Sequence, residues 1–308
     1  MKRTMGMIAG ALLLALTPAM FAADGPTHAA KELPWENSLG MKFVPVKGTD
    51  ALFCIWLTRV QDFAAFVKET QYDATANMVS LGDDGWKTTH GDSWESPGYP
   101  QGPTHPVGGM SWTDAKAFCQ WLTGKERKDG KIGADEEYRL PTDAEWSLAV
   151  GLGPEAGDTP KSKSSKIKGV YPWGTQWPPP KGAGNYAGEE SKEGESTPQE
   201  LKKNKAFNDV PSDWTVIQGY NDGYPRTSPV GSYPANEFGL YDMGGNLYQW
   251  CEDLLSKGAP VMRGTSFYTY KQGYILSSFR NSAGINHRCG GTGFRVVLSR
   301  SGSTPPSQ

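Results

Sequence analysis

Histidine is scarce in this chain, with four among 308 residues: His28, His90, His105 and His287. None pairs at the H-x-x-x-H spacing that places two imidazoles on one helix face, which counts against a helix-borne metal centre. Cysteine is equally sparse, at Cys54, Cys119, Cys251 and Cys289. No two of these form C-x-x-C, so neither a dithiol redox motif nor a paired-cysteine zinc site is present. Charge of one sign is missing too: 31 basic and 33 acidic residues leave a net −2. This excludes the electrostatic footprint of a nucleic-acid binder or of a protein held on an anionic membrane. No apolar run approaches the roughly 20 residues of a spanning helix. Nothing resembles a serine triad or a phosphate loop, because the Gly-Gly pairs at 108–109, 244–245 and 290–291 do not open a helix after a strand.

What is abundant is turn formers and aromatics: 38 glycines, 23 prolines, 11 tryptophans and 13 tyrosines. These predict a loop-rich, aromatic-packed fold with few long helices. The length admits one large domain or two ordinary ones, and a single elaborate domain is favoured. Lys2 and Arg3, the apolar stretch 7–16, and small residues up to Ala23 have the layout of a secretory signal peptide over 1–23. Residues 24–38 then read as a flexible leader, 39–299 as the domain and 300–308 as a disordered tail. Export would permit disulfides, and the four cysteines admit up to two bridges in three connectivities. Cys119 lies on an apolar helical face, while Cys54 and Cys251 adjoin large aromatics. Buried free thiols therefore remain the other reading.

Periodicity places a first strand at 40–46 and a second at 52–57, followed by a helix around Phe63, Phe66 and Val67 behind a Thr58 cap. Residues 74–106 lose periodicity and read as a long ordered loop. Ser111 and Asp114 form a capping box ahead of Trp112, Ala115, Phe118, Cys119 and Leu122, which recur at helical spacing. A third, shorter helix is predicted over 143–150. The stretch 151–232 is almost all turn formers, anchored by Trp173, Trp177, Tyr186, Trp214, Tyr220 and Tyr224. The basic run at 161–168 and the acidic run at 189–195 read as solvated loops. Final strands are expected at 261–267 and 293–298.

Several motifs stand in a telling order: T-R-V-x-D-F at 58–63, H-P-V-G-G-M-S-W at 105–112, R-L-P-T-D-A-E-W at 139–146, and Y-P-W-G at 171–174. G-L-Y-D-M-G-G-N at 239–246, R-G-T-S at 263–266 and G-F-R at 293–295 complete the series. In that order they resemble the sulfatase-modifying factor family, whose founder is the formylglycine-generating enzyme. The resemblance implies an α+β, modified C-type-lectin-like fold with short antiparallel sheets, two main helices and much irregular structure.

It also implies Ca²⁺, a cation that takes six to eight oxygen ligands. Asn185 and Asp222 match the side-chain ligands of a first site, and Tyr186 and Tyr224 its carbonyl ligands; an alternative is that Asn185 and Asp222 are simply turn residues. A second site would use Gly244, Asn246, Leu247 and Gln249. Members usually carry Glu at that last position, so a formal charge is lost. In the founder, two cysteines shortly after the arginine-glycine motif hold a copper ion that activates oxygen, because soft thiolates suit a cuprous ion. Here Thr269 takes the first position and the second falls around Gly273 and Tyr274. Neither supplies a thiolate, and Cys289 lies outside the pair, so copper is not expected and no catalytic residue is assigned.

The expected function is that of an exported domain protein that binds a peptide, protein or glycan through its lectin-like groove, without formylglycine-generating activity. The groove residues are Thr269, Tyr270, Tyr274, Arg280, His287 and Arg295. Tyrosines among polar groups suit recognition surfaces, and equally a packed loop. The alternative is a divergent sulfatase-modifying or other oxidoreductase, which rests on family analogy alone. Arg263 and Arg295 suit either bidentate anion binding or structural ion pairs, the latter preferred. The ligand and the oligomeric state stay open, with a monomer as one possibility.

Overall fold

A computed structural model describes residues 25–75, 77–82, 85–88, 93–192 and 215–300. The signal peptide, His90, Trp214 and the tail beyond Arg300 lie outside the described residues.

Strands β1 (Trp35–Glu36), β2 (Lys42–Pro45) and β3 (Leu52–Cys54) open the chain as an antiparallel set, with Trp35 opposite Phe43 and Phe43 opposite Cys54. Part of the stretch read as leader is thus sheet, because Trp35 buries its indole against Phe43 at 5.5 Å. Helix α1 (Val60–Thr70) follows. Its start differs from the Thr58 reading: Arg59 is the cap position, and the Asp62 carboxylate accepts its backbone N–H at 2.9 Å.

Residues 74–106 contain a hairpin that periodicity does not reveal, β4 (Met78–Gly82) against β5 (Gly85–Thr88). Both strands are short, and neither M-V-S-L-G nor G-W-K-T sustains a period-two alternation. Helix α2 (Trp112–Lys128) carries the predicted capping box, with Ser111 Oγ accepting the Asp114 N–H at 3.1 Å. Strand β6 (Glu136–Arg139) leads to α3 (Asp143–Ala149), capped in the same way by Thr142 and Glu145.

The last third forms β7 (Tyr248–Ser256), β8 (Ala259–Arg263), β9 (Asn281–Ser282), β10 (Arg288–Cys289), β11 (Thr292–Gly293) and β12 (Val297–Arg300). These and the earlier strands assemble into three sheets, ordered β1-β2-β3-β12-β6, β10-β4-β5 and β11-β7-β8-β9. The pairs β10–β4 and β11–β7 are parallel, each two residues long, and the other pairings are antiparallel.

The helices α1 and α2 press Phe63, Phe66 and Phe118 into a core shared with Phe43, Trp250 and Phe294. A second core, around Phe53, Trp146, Cys251 and Val297, lies under α3. Tyr171, Tyr186, Ile217, Tyr220, Ile275 and Leu276 form a third cluster, which anchors the irregular stretch after α3. Order without regular structure is thereby bought with aromatics.

Candidate functional site

The segment that leaves β8 is held from below. Arg263 is fully buried, and its guanidinium donates to the Asp143 carboxylate, to Ser147 Oγ at 3.0 Å and to the Ser277 carbonyl at 2.8 Å. Gly264 has φ +86°, and a Cβ there would press on the Met243 carbonyl at 2.8 Å, so only glycine passes. Thr269 is buried: its N–H donates to the Ser266 carbonyl at 2.9 Å, and its hydroxyl accepts the Ser266 N–H at 3.3 Å. The helical turn Gln272–Ile275 then carries Tyr274 outward, 49% exposed and stacked on Phe279 at 4.9 Å. Half-buried Tyr270 lies under the Lys271 ammonium at 5.7 Å.

Thr269, Tyr270 and Tyr274 therefore share one segment, but the other three groove assignments do not join them. Arg280 is buried, donating to Asp143 at 2.9 Å and to Glu155 at 2.6 and 2.7 Å. Arg295 is buried as well, donating to Gln249 Oε1 at 3.1 Å and to the Cys54 carbonyl at 2.7 Å. Both are structural, because their donors are already spent on internal acceptors. His287 is exposed on a separate loop, where the neighbouring Ile285 carbonyl accepts the Thr113 N–H of α2. His105 is a loop hydrogen-bonder, with Nδ1 3.0 Å from Thr227 Oγ1.

The thiols offer no substitute for the missing pair. All four cysteines are free and buried. Burial pushes Cys289 up to about 11 and Cys54 up to about 12, and raises Cys119 and Cys251 as well. A thiol in that state is neither a ready nucleophile nor a ready metal ligand. A copper ion thus finds no fitting donors at Thr269, Gly273 or Tyr274.

The two calcium assignments fare differently. At the first, Asn185 is fully buried; its Nδ2 donates to the Arg226 carbonyl at 2.7 Å, while Oδ1 has no partner among the described residues. Asp222 accepts the N–H groups of Tyr186 and Tyr224 at 2.8 and 2.9 Å, tying the four residues together. Burial, reinforced by the charge of Glu190, pushes the Asp222 carboxyl up to about 7. Glu190 accepts the N–H groups of Gly188 and Asp222 at 3.1 and 3.2 Å. It is buried, so the acidic run at 189–195 is not wholly a solvated loop. An orphaned carbonyl oxygen beside two crowded carboxylates fits a hard dication.

The second assignment does not fit. Gln249 Oε1 accepts from Arg295 Nε and from Trp146 Nε1 at 3.3 Å, and Asn246 Oδ1 accepts the Ser228 N–H at 3.2 Å. Gly244 and Leu247 have no side-chain donor to add, and the buried Arg295 guanidinium, already bonded to Gln249 Oε1, sets a positive charge against any cation there. Glutamine in place of glutamate and the arginine beside it are one arrangement.

Residues 52–300 match the family model described as the sulfatase-modifying factor enzyme 1-like domain. The chain belongs to this family. Among its relatives, the formylglycine-generating enzyme of Thermomonospora curvata is 28% identical over 176 residues, which is 56% of this chain and 42% of that protein. The inactive Cα-formylglycine-generating enzyme 2 of Bos taurus is 28% identical over 249 residues, 78% of this chain and 60% of that protein. The chain thus spans less than two thirds of the length of these relatives. Its structure is similar to that of PvdO from Pseudomonas aeruginosa, with a TM-score of 0.51 and 21% identity over 90% of this chain and 88% of the other. That likeness is one of fold, and the fold is the modified C-type-lectin-like one of the family.

Sequence reasoning missed Glu190 and the carboxylates Asp143 and Glu155 that neutralise the arginines. The only signal for Glu190 is its place five residues after Asn185, inside an acidic run.

Proposed function

We propose that this chain is an exported member of the family that binds a peptide, protein or glycan partner and does not generate formylglycine. The observation that carries the reading is the state of the two copper-ligand positions. Thr269 is a buried hydroxyl tied to Ser266, and the second position falls at Gly273 and the exposed phenol of Tyr274. A hydroxyl and a phenol are hard, and a cuprous ion requires soft donors. The half-exposed Tyr270, Lys271, Tyr274 and Phe279 supply rigid aromatic area with polar rims, a composition that favours recognition.

Calcium belongs to the first site, held by Asn185 Oδ1 and Asp222 and by the carbonyls of Tyr186 and Tyr224. It would neutralise the local acidity and pin two irregular loops together. Export rests on the pattern of residues 1–23, and the described residues contain no helix long and apolar enough to cross a membrane.

The test is incubation of the purified protein with copper, oxygen and a C-x-P-x-R peptide, followed by mass spectrometry. No change in peptide mass is expected. A mass loss matching formylglycine would overturn the reading and favour a divergent oxidoreductase.

A further inference from the structure

A cleft of about 470 Å³ opens between residues 150–152, 170–174, 180–184 and 233–244. It falls within the size range of small-molecule sites and is larger than ordered water requires. One side is Trp173, whose indole stacks on Tyr171 at 5.0 Å and 10° and meets Tyr186 edge-on at 5.2 Å. Its Nε1 donates to the Gln176 carbonyl at 2.9 Å, so the ring is locked in place before any ligand arrives. Tyr233 and prolines complete the walls with equally stiff surfaces.

The cleft also holds polar groups with unused capacity. Ser277 is 3% exposed; its backbone is spent on Val170 and Arg263, yet its Oγ has no partner among the described residues. A buried hydroxyl left unpaired is costly, and a ligand that pairs it recovers that cost. Asp242, also buried, accepts the Gly231 N–H through Oδ2 at 3.0 Å, while among the described residues Oδ1 has only a 3.5 Å contact with Asn246. A carboxylate oxygen and a free hydroxyl together accept from and donate to neighbouring alcohols, each of which is itself donor and acceptor. The lining carries Glu237 and Asp242 against a single lysine, Lys181, which disfavours an anionic ligand.

We propose that this cleft binds a neutral saccharide. The C–H face of a pyranose lies against the Trp173 ring, whose negative π face attracts polarised C–H groups. Its hydroxyls reach Asp242 Oδ1 and Ser277 Oγ. The proposal rests on the reading of the chain as a binder and gives it a ligand class at a site apart from the surface of Tyr270, Tyr274 and Phe279.

The test is a glycan array of unsulfated, unsialylated oligosaccharides, followed by calorimetric titration of the best ligand at millimolar concentration. Trp173→Ala and Asp242→Asn are each expected to weaken binding about tenfold or more, the scale of one stacking contact or one charge-assisted hydrogen bond. Ser277→Ala is the fold-safe variant, because its Oγ bonds to none of the described residues, and a loss of about fivefold is expected. Absence of any saccharide signal would overturn the proposal, as would binding that all three variants leave unaltered, or binding of spermidine or sulfate in place of saccharide. These outcomes leave the formylglycine assay untouched, so failure here and failure of the broader reading are separable.

Discussion

Replacing Asp143 by asparagine isolates the charge that holds the family's arginine-glycine segment in place. Asp143 sits at the first position of α3 and bridges two arginines. With Glu155 it balances Arg263 and Arg280, two negative charges against two positive ones, and none of the four side chains is more than 4% exposed. Asparagine keeps the shape but leaves a net buried positive charge, with two guanidiniums repelling one another. Breaking a buried pair from one side costs about 3–5 kcal/mol. The lost helix-dipole contribution alone is only about 0.3–1 kcal/mol. For a domain of this size, about 3–5 kcal/mol lowers Tm by roughly 6–20 °C.

Thermal and urea denaturation followed by circular dichroism would read this difference. The pH dependence supplies a second readout. Burial pushes the Asp143 carboxyl up, but the Arg263 and Arg280 guanidiniums outweigh it and hold the group below its ordinary range. A depressed carboxylate contributes stability above its unfolded pKa near 4 and loses it as pH falls through the lower folded value. The gap between wild type and Asp143→Asn should therefore be full at pH 7 and narrow below about pH 4. A loss under about 1 kcal/mol, or a gap independent of pH, would refute the network argument.

Three further outcomes are expected. Calcium at a hundredfold excess over its Kd should stabilise the protein by about 2.7 kcal/mol, roughly 5–10 °C in Tm, relative to chelator. Asp222→Asn should remove that shift, and an unmoved wild-type Tm would dismiss the Asn185 and Asp222 site. The four buried thiols should stay unreactive toward Ellman's reagent in the native protein and all react once it is denatured, whereas fewer than four on unfolding without reductant would reveal a disulfide. Gly245→Ala should cost about 1–2 kcal/mol from its φ of +78° alone, and more because a Cβ there overlaps the Asn185 carbonyl. A neutral Gly245→Ala in chemical denaturation would show that this loop yields.

Where two local signals coincide, the chain was legible. Ser111 with Asp114, and Thr142 with Glu145, cap helices whose apolar spacing begins at once, and both helices form there. The hairpin β4–β5 was not legible, since β4 gains its outer neighbour from β10, about 210 residues further along. The same physics separates the two halves of the candidate site. That Thr269 cannot ligate copper follows from residue type alone. That Arg280 points inward depends on Asp143, 137 positions earlier, and Arg295 finds the Cys54 carbonyl 241 positions away. Spacing along one chain carries chemistry only as far as a turn or two. Burial of a charge is decided by the partner that meets it, so spacing alone assigns Arg280 and Arg295 to the groove, even though structural pairing is the preferred reading for Arg263 and Arg295. Glu190 makes the converse case: its acidic neighbourhood suggested solvent, while the N–H groups of Gly188 and Asp222 draw it inward. Both errors have one source, the long-range acceptor or donor that fixes where a charged side chain can rest.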